Sequence, residues 1–129
     1  MILIDTSAWI EFLRDTRSDV CEAVDRLLEA DICITDPVLM EVLAGARDER
    51  HVEQLRGLLG RAQMRHCGPA DFEFAASLDR ARRRQGQTVR RMIDCLIAAV
   101  AIREGTPLLQ FDRDFEVLAR HSELAIYDG

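Results

Sequence analysis

The chain has 129 residues, 48% of them hydrophobic and 31% charged, which suits one soluble domain with a single sizeable core and leaves too little for two. No apolar run approaches the ~18 residues of a membrane span, and a net charge of −6 argues against a protein that coats nucleic acid with a generally basic surface. The N-terminus shows neither the basic region nor the small-residue cleavage site of a signal peptide, so a cytoplasmic protein without membrane attachment is expected.

Ile2, Leu3 and Ile4 form a short, β-branched-rich run ahead of Asp5-Thr6-Ser7, which reads as a buried strand passing straight into a helix from Ala8. Any of the three polar residues is a suitable cap for that helix. Residues 15–18 break the chain, and 20–30 form a predicted helix with Val20, Val24, Leu27 and Leu28 on one face. A second strand covers 31–35. Asp36-Pro37 then opens a helix that carries Glu41 and runs to Gly45. A polar helix over 47–59 and a weak strand over 62–67 precede a long helix over 72–85, with Phe74, Ala75 and Leu78 as its apolar face. Residues 89–103 are apolar on nearly every side, as in a helix buried in the protein, and Asp94 sits in its first turns. A strand over 108–111 leads directly to Asp112 and Asp114, a helix over 115–120 and a last strand over 124–127.

This alternation predicts an α/β fold, residues 1–129 as one domain, with a mainly parallel sheet covered on both faces. In such a sheet every strand ends on the same edge, where ligands bind in open α/β folds. Asp5 and Asp112 each follow a strand and share that edge. Glu41 and Asp94 sit early in apolar helices, where an ionised carboxylate is costly to bury unpaired. For each residue alone, a helix cap, a backbone hydrogen bond or an arginine pair is the competing explanation; Arg90, four residues before Asp94, is such a partner. Four carboxylates directed to one edge repel one another, and a hard divalent cation with oxygen ligands relieves that repulsion. Magnesium or manganese fits; zinc would want His or Cys.

All 17 basic residues are arginine, six of them between Arg80 and Arg91. Arginine presents a planar fork suited to phosphate, so Arg83, Arg84 and Arg90 are candidates to hold a phosphate backbone; a solvated helix end is the competing reading. Cys21, Cys33, Cys67 and Cys95 form no CxxC pair and read as reduced, mostly buried small hydrophobes. A haloacid-dehalogenase-type phosphatase would want an aspartate where Ser7 stands, and a response-regulator receiver would want a lysine, which the chain lacks.

Four segments in series, ILIDTSAWIEFL at 2–13, DPVLMEVLAGA at 36–46, GQTVRRMIDCLIAAVAIREG at 86–105 and LLQFDRDFEVLA at 108–119, resemble a PIN-domain ribonuclease, more narrowly a VapC-type toxin of a toxin–antitoxin pair. The resemblance runs nearly end to end. It implies a three-layer α/β/α sandwich and an acidic quartet that binds Mg²⁺ or Mn²⁺: Asp5, Glu41, Asp94 and Asp112, with Asp5, Asp94 and Asp112 as metal ligands. Asp114 matches an additional acidic position, and Thr6 or Ser7 the hydroxyl that orients the site. It further implies an RNA substrate, most simply tRNA, a cognate antitoxin and a homodimer. Asp5 is then needed as a ligand, which leaves Thr6 and Ser7 as the better helix caps. Gln110-Phe111 departs from the pattern, in which a threonine or serine is common before the last aspartate. Trp9, Phe12 and Leu13 are candidates for a protein interface, with core packing the competing and favoured role for at least two of them. The alternative is a PIN-like module that binds RNA or a protein without cutting.

Overall fold

A computed structural model of the chain describes residues 1–87 and 91–128. Four short strands, β1 (Ile2–Ile4), β2 (Ile32–Ile34), β3 (Gln63–Met64) and β4 (Leu108–Leu109), form a parallel sheet in the order β3-β2-β1-β4. Leu3 sits opposite Cys33 on one side and Leu108 on the other, so β1 is central and buried on both faces. That position explains why the strand reads as a continuous apolar run rather than an alternating one.

Among the described residues seven helices flank the sheet: α1 (Thr6–Leu13), α2 (Asp19–Leu27), α3 (Asp36–Ala44), α4 (Glu49–Leu59), α5 (Pro69–Arg84), α6 (Met92–Glu104) and α7 (Arg113–Arg120). The expected three-layer α/β/α arrangement is the one observed. Helix α6 is buried continuously from Asp94 to Ala101, in keeping with an apolar sequence on every face. Trp9 is completely buried and Phe12 packs against the core, so of the three interface candidates only Leu13 is exposed. No helix among the described residues is long and apolar enough to cross a membrane.

The differences from expectation have local causes. The last segment forms no named strand: Ile126 makes a single parallel bridge to Leu108, with Leu108 N–H donating to Ala125 O and Tyr127 N–H to Leu108 O. The weak strand over 62–67 shrinks to two residues at the sheet's edge. Helix α5 begins at Pro69, three residues earlier than its apolar pattern suggests, because Asp71 accepts from Gly68 N–H at 2.8 Å and stabilises the first turn. Phe74 is exposed, and the buried face of α5 is Asp71, Ala75, Leu78 and Arg82. The four cysteines are free, and all but Cys67 are buried.

Strand order places the chain's turning point. From β1 the path goes outward to β2 and β3, then returns to the opposite side of β1 as β4. The loops leaving β1 and β4 therefore diverge, which is where a crevice opens at the strand ends. Asp5 N–H still donates to Leu109 O at 3.0 Å, so the two strand ends are in register where their carboxylate-bearing turns begin.

Helix α6 ends on Gly105 at φ +63°, a left-handed cap that costs an L side chain ~1–2 kcal/mol. A Gly105→Ala chain should lose about that much in urea unfolding, with an unchanged denaturant slope.

Candidate active site

Two turns of the same design build the crevice floor. Asp5 follows β1 and caps α1, its Oδ2 accepting from Ser7 N–H at 2.9 Å and from Ser7 Oγ–H at 2.5 Å. Asp112 follows β4 and caps α7, accepting from Asp114 N–H at 2.9 Å. The expectation that Thr6 or Ser7 caps α1 is thus corrected. A carboxylate has two oxygens, and capping uses only one of them. Asp5 Oδ1 stays buried with no hydrogen-bond partner among the described residues.

The hydroxyls act as struts. Ser7 Oγ, which donates to Asp5, also accepts from Phe111 N–H at 2.8 Å, tying the β4 turn to the β1 turn. Thr6 Oγ1 donates to Glu41 Oε1 at 2.8 Å and so orients the carboxylate that α3 supplies. The departure at Gln110-Phe111 is accommodated in a different way: buried Gln110 accepts from Asp112 N–H through its own side chain at 2.5 Å, and the hydroxyl near this strand comes from Ser7.

Asp94 reaches the crevice from the first turn of α6 and is only 1% exposed. One oxygen each of Asp94, Asp112 and Asp114 lie within 4.8 Å of one another, a spacing open to a metal ion. Asp114, expected in a supporting place, is thus part of the tight triplet. Asp5 and Glu41 border that triplet through their charges and through Arg91. Asp94 Oδ2, like Asp5 Oδ1, is buried without a hydrogen-bond partner among the described residues. Buried carboxylate oxygens that the protein leaves unpaired fit a divalent cation with oxygen ligands.

Electrostatics record the convergence. The Asp94 carboxyl is pushed up to about 7, first by burial, then by repulsion from Asp5, Asp112 and Asp114, with Arg91 opposing. The Asp5 carboxyl is pushed up to about 6, again mainly by burial, with Glu41 adding repulsion against the hydrogen bonds from Ser7 and Thr6. These shifts place protonation of both groups near neutrality, a property that clusters at functional sites.

Arg91 was not among the site residues expected from sequence. Its guanidinium donates to Glu41 Oε2 and lies 3.5 Å from Asp94 Oδ1. The signal for it is its place three residues before Asp94 on the same helix start. Arg90, expected both as a partner for Asp94 and as an RNA contact, lies outside the described residues. The neighbouring cluster divides. Arg82 is fully buried beside Asp79 Oδ1 (3.3 Å) and Cys95 Sγ (3.5 Å), whereas Arg80, Arg83 and Arg84 surround an open, basic depression. Arg83 also pairs with Asp79 at 3.1 Å.

A parallel sheet whose order reverses between β1 and β4, with five carboxylates gathered around that reversal, is the architecture of a PIN domain. The chain belongs to the PIN-domain family, whose model matches residues 2–121. Within it the chain falls in the VapC branch: it is 45% identical over 128 residues to ribonuclease VapC11 of Mycobacterium tuberculosis, with 96% of each chain covered. The fold recurs in the DNA-bound VapBC of Salmonella typhimurium, at TM-score 0.79, 22% identity and coverage of 99% and 98% of the two chains. It recurs also in VapC20 of Mycobacterium tuberculosis, described as a toxin that cleaves the sarcin–ricin loop, at TM-score 0.70, 19% identity and coverage of 97% and 99%.

Between the ordinary 3.8 and about 7, the folded chain keeps protons on Asp5 and Asp94 that the unfolded chain has released. The stability these groups confer is therefore full below that window and is lost as pH rises through it. Urea unfolding in EDTA should show lower stability at pH 8 than at pH 5. Asp94→Asn should recover ~1–3 kcal/mol at pH 8 and change little at pH 4. Equal pH profiles for the two chains would count against the repulsion.

Proposed function

We propose that the protein is a Mg²⁺- or Mn²⁺-dependent endoribonuclease, the toxin of a toxin–antitoxin pair, and that its substrate is a tRNA. The observation that carries this reading is the gathering of Asp5, Glu41, Asp94, Asp112 and Asp114 around one crevice, with buried oxygens of Asp5 and Asp94 left unpaired. The VapC relative is a ribonuclease, which supports the same chemistry. Asp94, Asp112 and Asp5 hold the cation, and Asp114 adds a further oxygen at the triplet. A divalent cation there supplies polarisation of a phosphodiester oxygen and a lowered pKa for water, with a second ion able to share the work. Glu41, whose Oε1 accepts from Thr6 Oγ1, acts through a water, as a ligand or as the general base that takes its proton. Ser7 fixes Asp5 and the Phe111 backbone together, so the carboxylates keep their spacing as the substrate enters. Arg83, Arg84 and Arg90 hold the RNA backbone.

The antitoxin seat is assigned to the cavity between α1, α3 and α4, where Ile10, Leu13, Val42 and Leu55 line an apolar floor and Glu41, Arg14, Arg47 and His51 its polar wall. An apolar segment that ends in a basic side chain would fill this groove and reach the acidic site. For a homodimer, the side chains more than half exposed, Met40, Phe72, Met92 and Phe111, are the candidates to meet a second copy of the chain.

Asp5→Asn and Asp94→Asn, each with a wild-type circular dichroism spectrum, should lose more than ~100-fold in Mg²⁺-dependent RNA cleavage, beyond what an outer-shell change costs. Full activity in either variant would overturn the reading. Manganese binding by a wild type that cuts no RNA would leave a PIN-like binding module. Sequencing of 5′ ends from cells expressing the protein should place the cuts in tRNA; cuts in the sarcin–ricin loop would move the substrate to ribosomal RNA.

The double change Arg83→Ala and Arg84→Ala should weaken RNA binding and lower the salt slope by ~1–2. An unchanged slope would assign these side chains to solvent or to a protein partner.

A further inference from the structure

Among the described residues, Arg82 and Arg83 on α5 and Arg91 and Arg103 on α6 pair with carboxylates, and Arg91 is the one whose partners belong to the acidic site. Arg103 forks onto Asp71, Nε to Oδ1 at 2.8 Å and one terminal nitrogen to Oδ2 at 3.1 Å, and also donates to His66 O at 2.9 Å. Arg82 has no exposed surface at all. Arg91 instead stands at the N-cap of α6 with 48% of its side chain exposed, and touches two carboxylates from two different helices.

The contacts place its charge inside the acidic group. Glu41 is held between Thr6 Oγ1 on one oxygen and Arg91 on the other, and the same guanidinium approaches Asp94. Burial works against the Arg91 charge, and Asp94, Glu41, Asp5 and Asp112 together outweigh it. A divalent cation bound by these carboxylates would face a positive charge a few ångströms away, so the guanidinium and the cation compete for the same oxygens. A guanidinium displaced from carboxylates at the mouth of an RNA-cleaving site meets phosphate, which its planar fork also matches.

We propose that Arg91 is an exchangeable counter-ion of the acidic site: it neutralises Glu41 and Asp94 until a divalent cation takes their oxygens, and then passes to a phosphate of the bound RNA. This rests on the metal-dependent ribonuclease reading. It makes Arg91 a positioning residue whose removal moves two affinities in opposite directions. A mere strut for Glu41 would weaken both or neither.

The test uses the full-length chain stripped of metal, as wild type, Arg91→Met and Arg91→Lys, each checked by circular dichroism. Manganese binding is measured by calorimetry at pH 8 without RNA. Binding of a labelled single-stranded RNA that the protein leaves uncut is measured by fluorescence anisotropy with saturating Mn²⁺ over a range of salt. Arg91→Met should bind Mn²⁺ ~3–10-fold tighter, show a larger Mn²⁺-induced rise in melting temperature, and bind RNA more weakly with a salt slope reduced by about one. Arg91→Lys keeps a point charge without the fork, and should restore Mn²⁺ affinity toward the wild-type value while recovering RNA binding only in part. Wild-type Mn²⁺ binding with equal or weaker binding in Arg91→Met would overturn the exchange and leave the metal reading intact. No Mn²⁺ binding by the wild type at millimolar concentration would overturn the metal reading and the exchange with it. If Arg91→Met does not fold, Arg91→Gln takes its place, with the same results deciding.

Discussion

Carboxylates at the ends of β1 and β4 and at the start of α6 are held closer together, and drier, than they would be in water. Burial is the largest influence on both Asp5 and Asp94, and mutual repulsion adds to it. A fold that had only to be stable would place neutral residues there, asparagine at the two caps and alanine or leucine at Asp94, because buried charge without full compensation is costly. The remainder of the structure can be understood as what makes this crowding tolerable. A β1 strand buried at Leu3 and Ile4 anchors one turn, α6 is apolar enough to carry an aspartate inward, and a continuous hydrophobic cluster runs from Leu3 to Leu124.

The local devices that hold the carboxylates are ordinary ones set to a second use. Helix capping satisfies α1 and α7, and the caps are Asp5 and Asp112. Ser7 serves as donor to Asp5 and acceptor from Phe111, so one hydroxyl joins the two turns that bear the site. Glu41 comes from a different helix and is fixed by Thr6 rather than by its own neighbours. Because the positions are set by backbone turns and short hydrogen bonds, the site depends little on long flexible side chains, Arg91 excepted.

Much of this was legible in the sequence, and the reasons are physical. The strands β1, β2 and β4 announce themselves as brief apolar runs bounded by polar residues, and α6 as a segment apolar all round. Asp5, Glu41, Asp94 and Asp112 stood out because each interrupts or ends an apolar run, where a charge needs a reason. What depends on tertiary partners was less visible. Phe74 fits the helical period of α5 yet faces outward, while Arg82, in a run that looks solvated, is the buried member. The last segment has strand-like residues but lacks the length of partner needed to pair beyond one bridge. Arg91 was hidden by its neighbour: two adjacent arginines precede Asp94, and sequence spacing favoured the i−4 position over the i−3 position that the structure uses.

The doubling of cap and site carboxylate at Asp5 and Asp112 limits how this protein can drift. A helix start tolerates asparagine nearly as well as aspartate but loses ~1 kcal/mol with alanine. Most random replacements at these two positions would therefore damage folding along with chemistry, and be removed by the cell's quality control as unstable chains. The amide is the narrow exception: it keeps the cap, and on the proposed metal-site reading it would silence the chain with the scaffold whole. A descendant that had given up cutting but kept its partners would be expected to carry asparagine there, recognisable in its sequence before any assay.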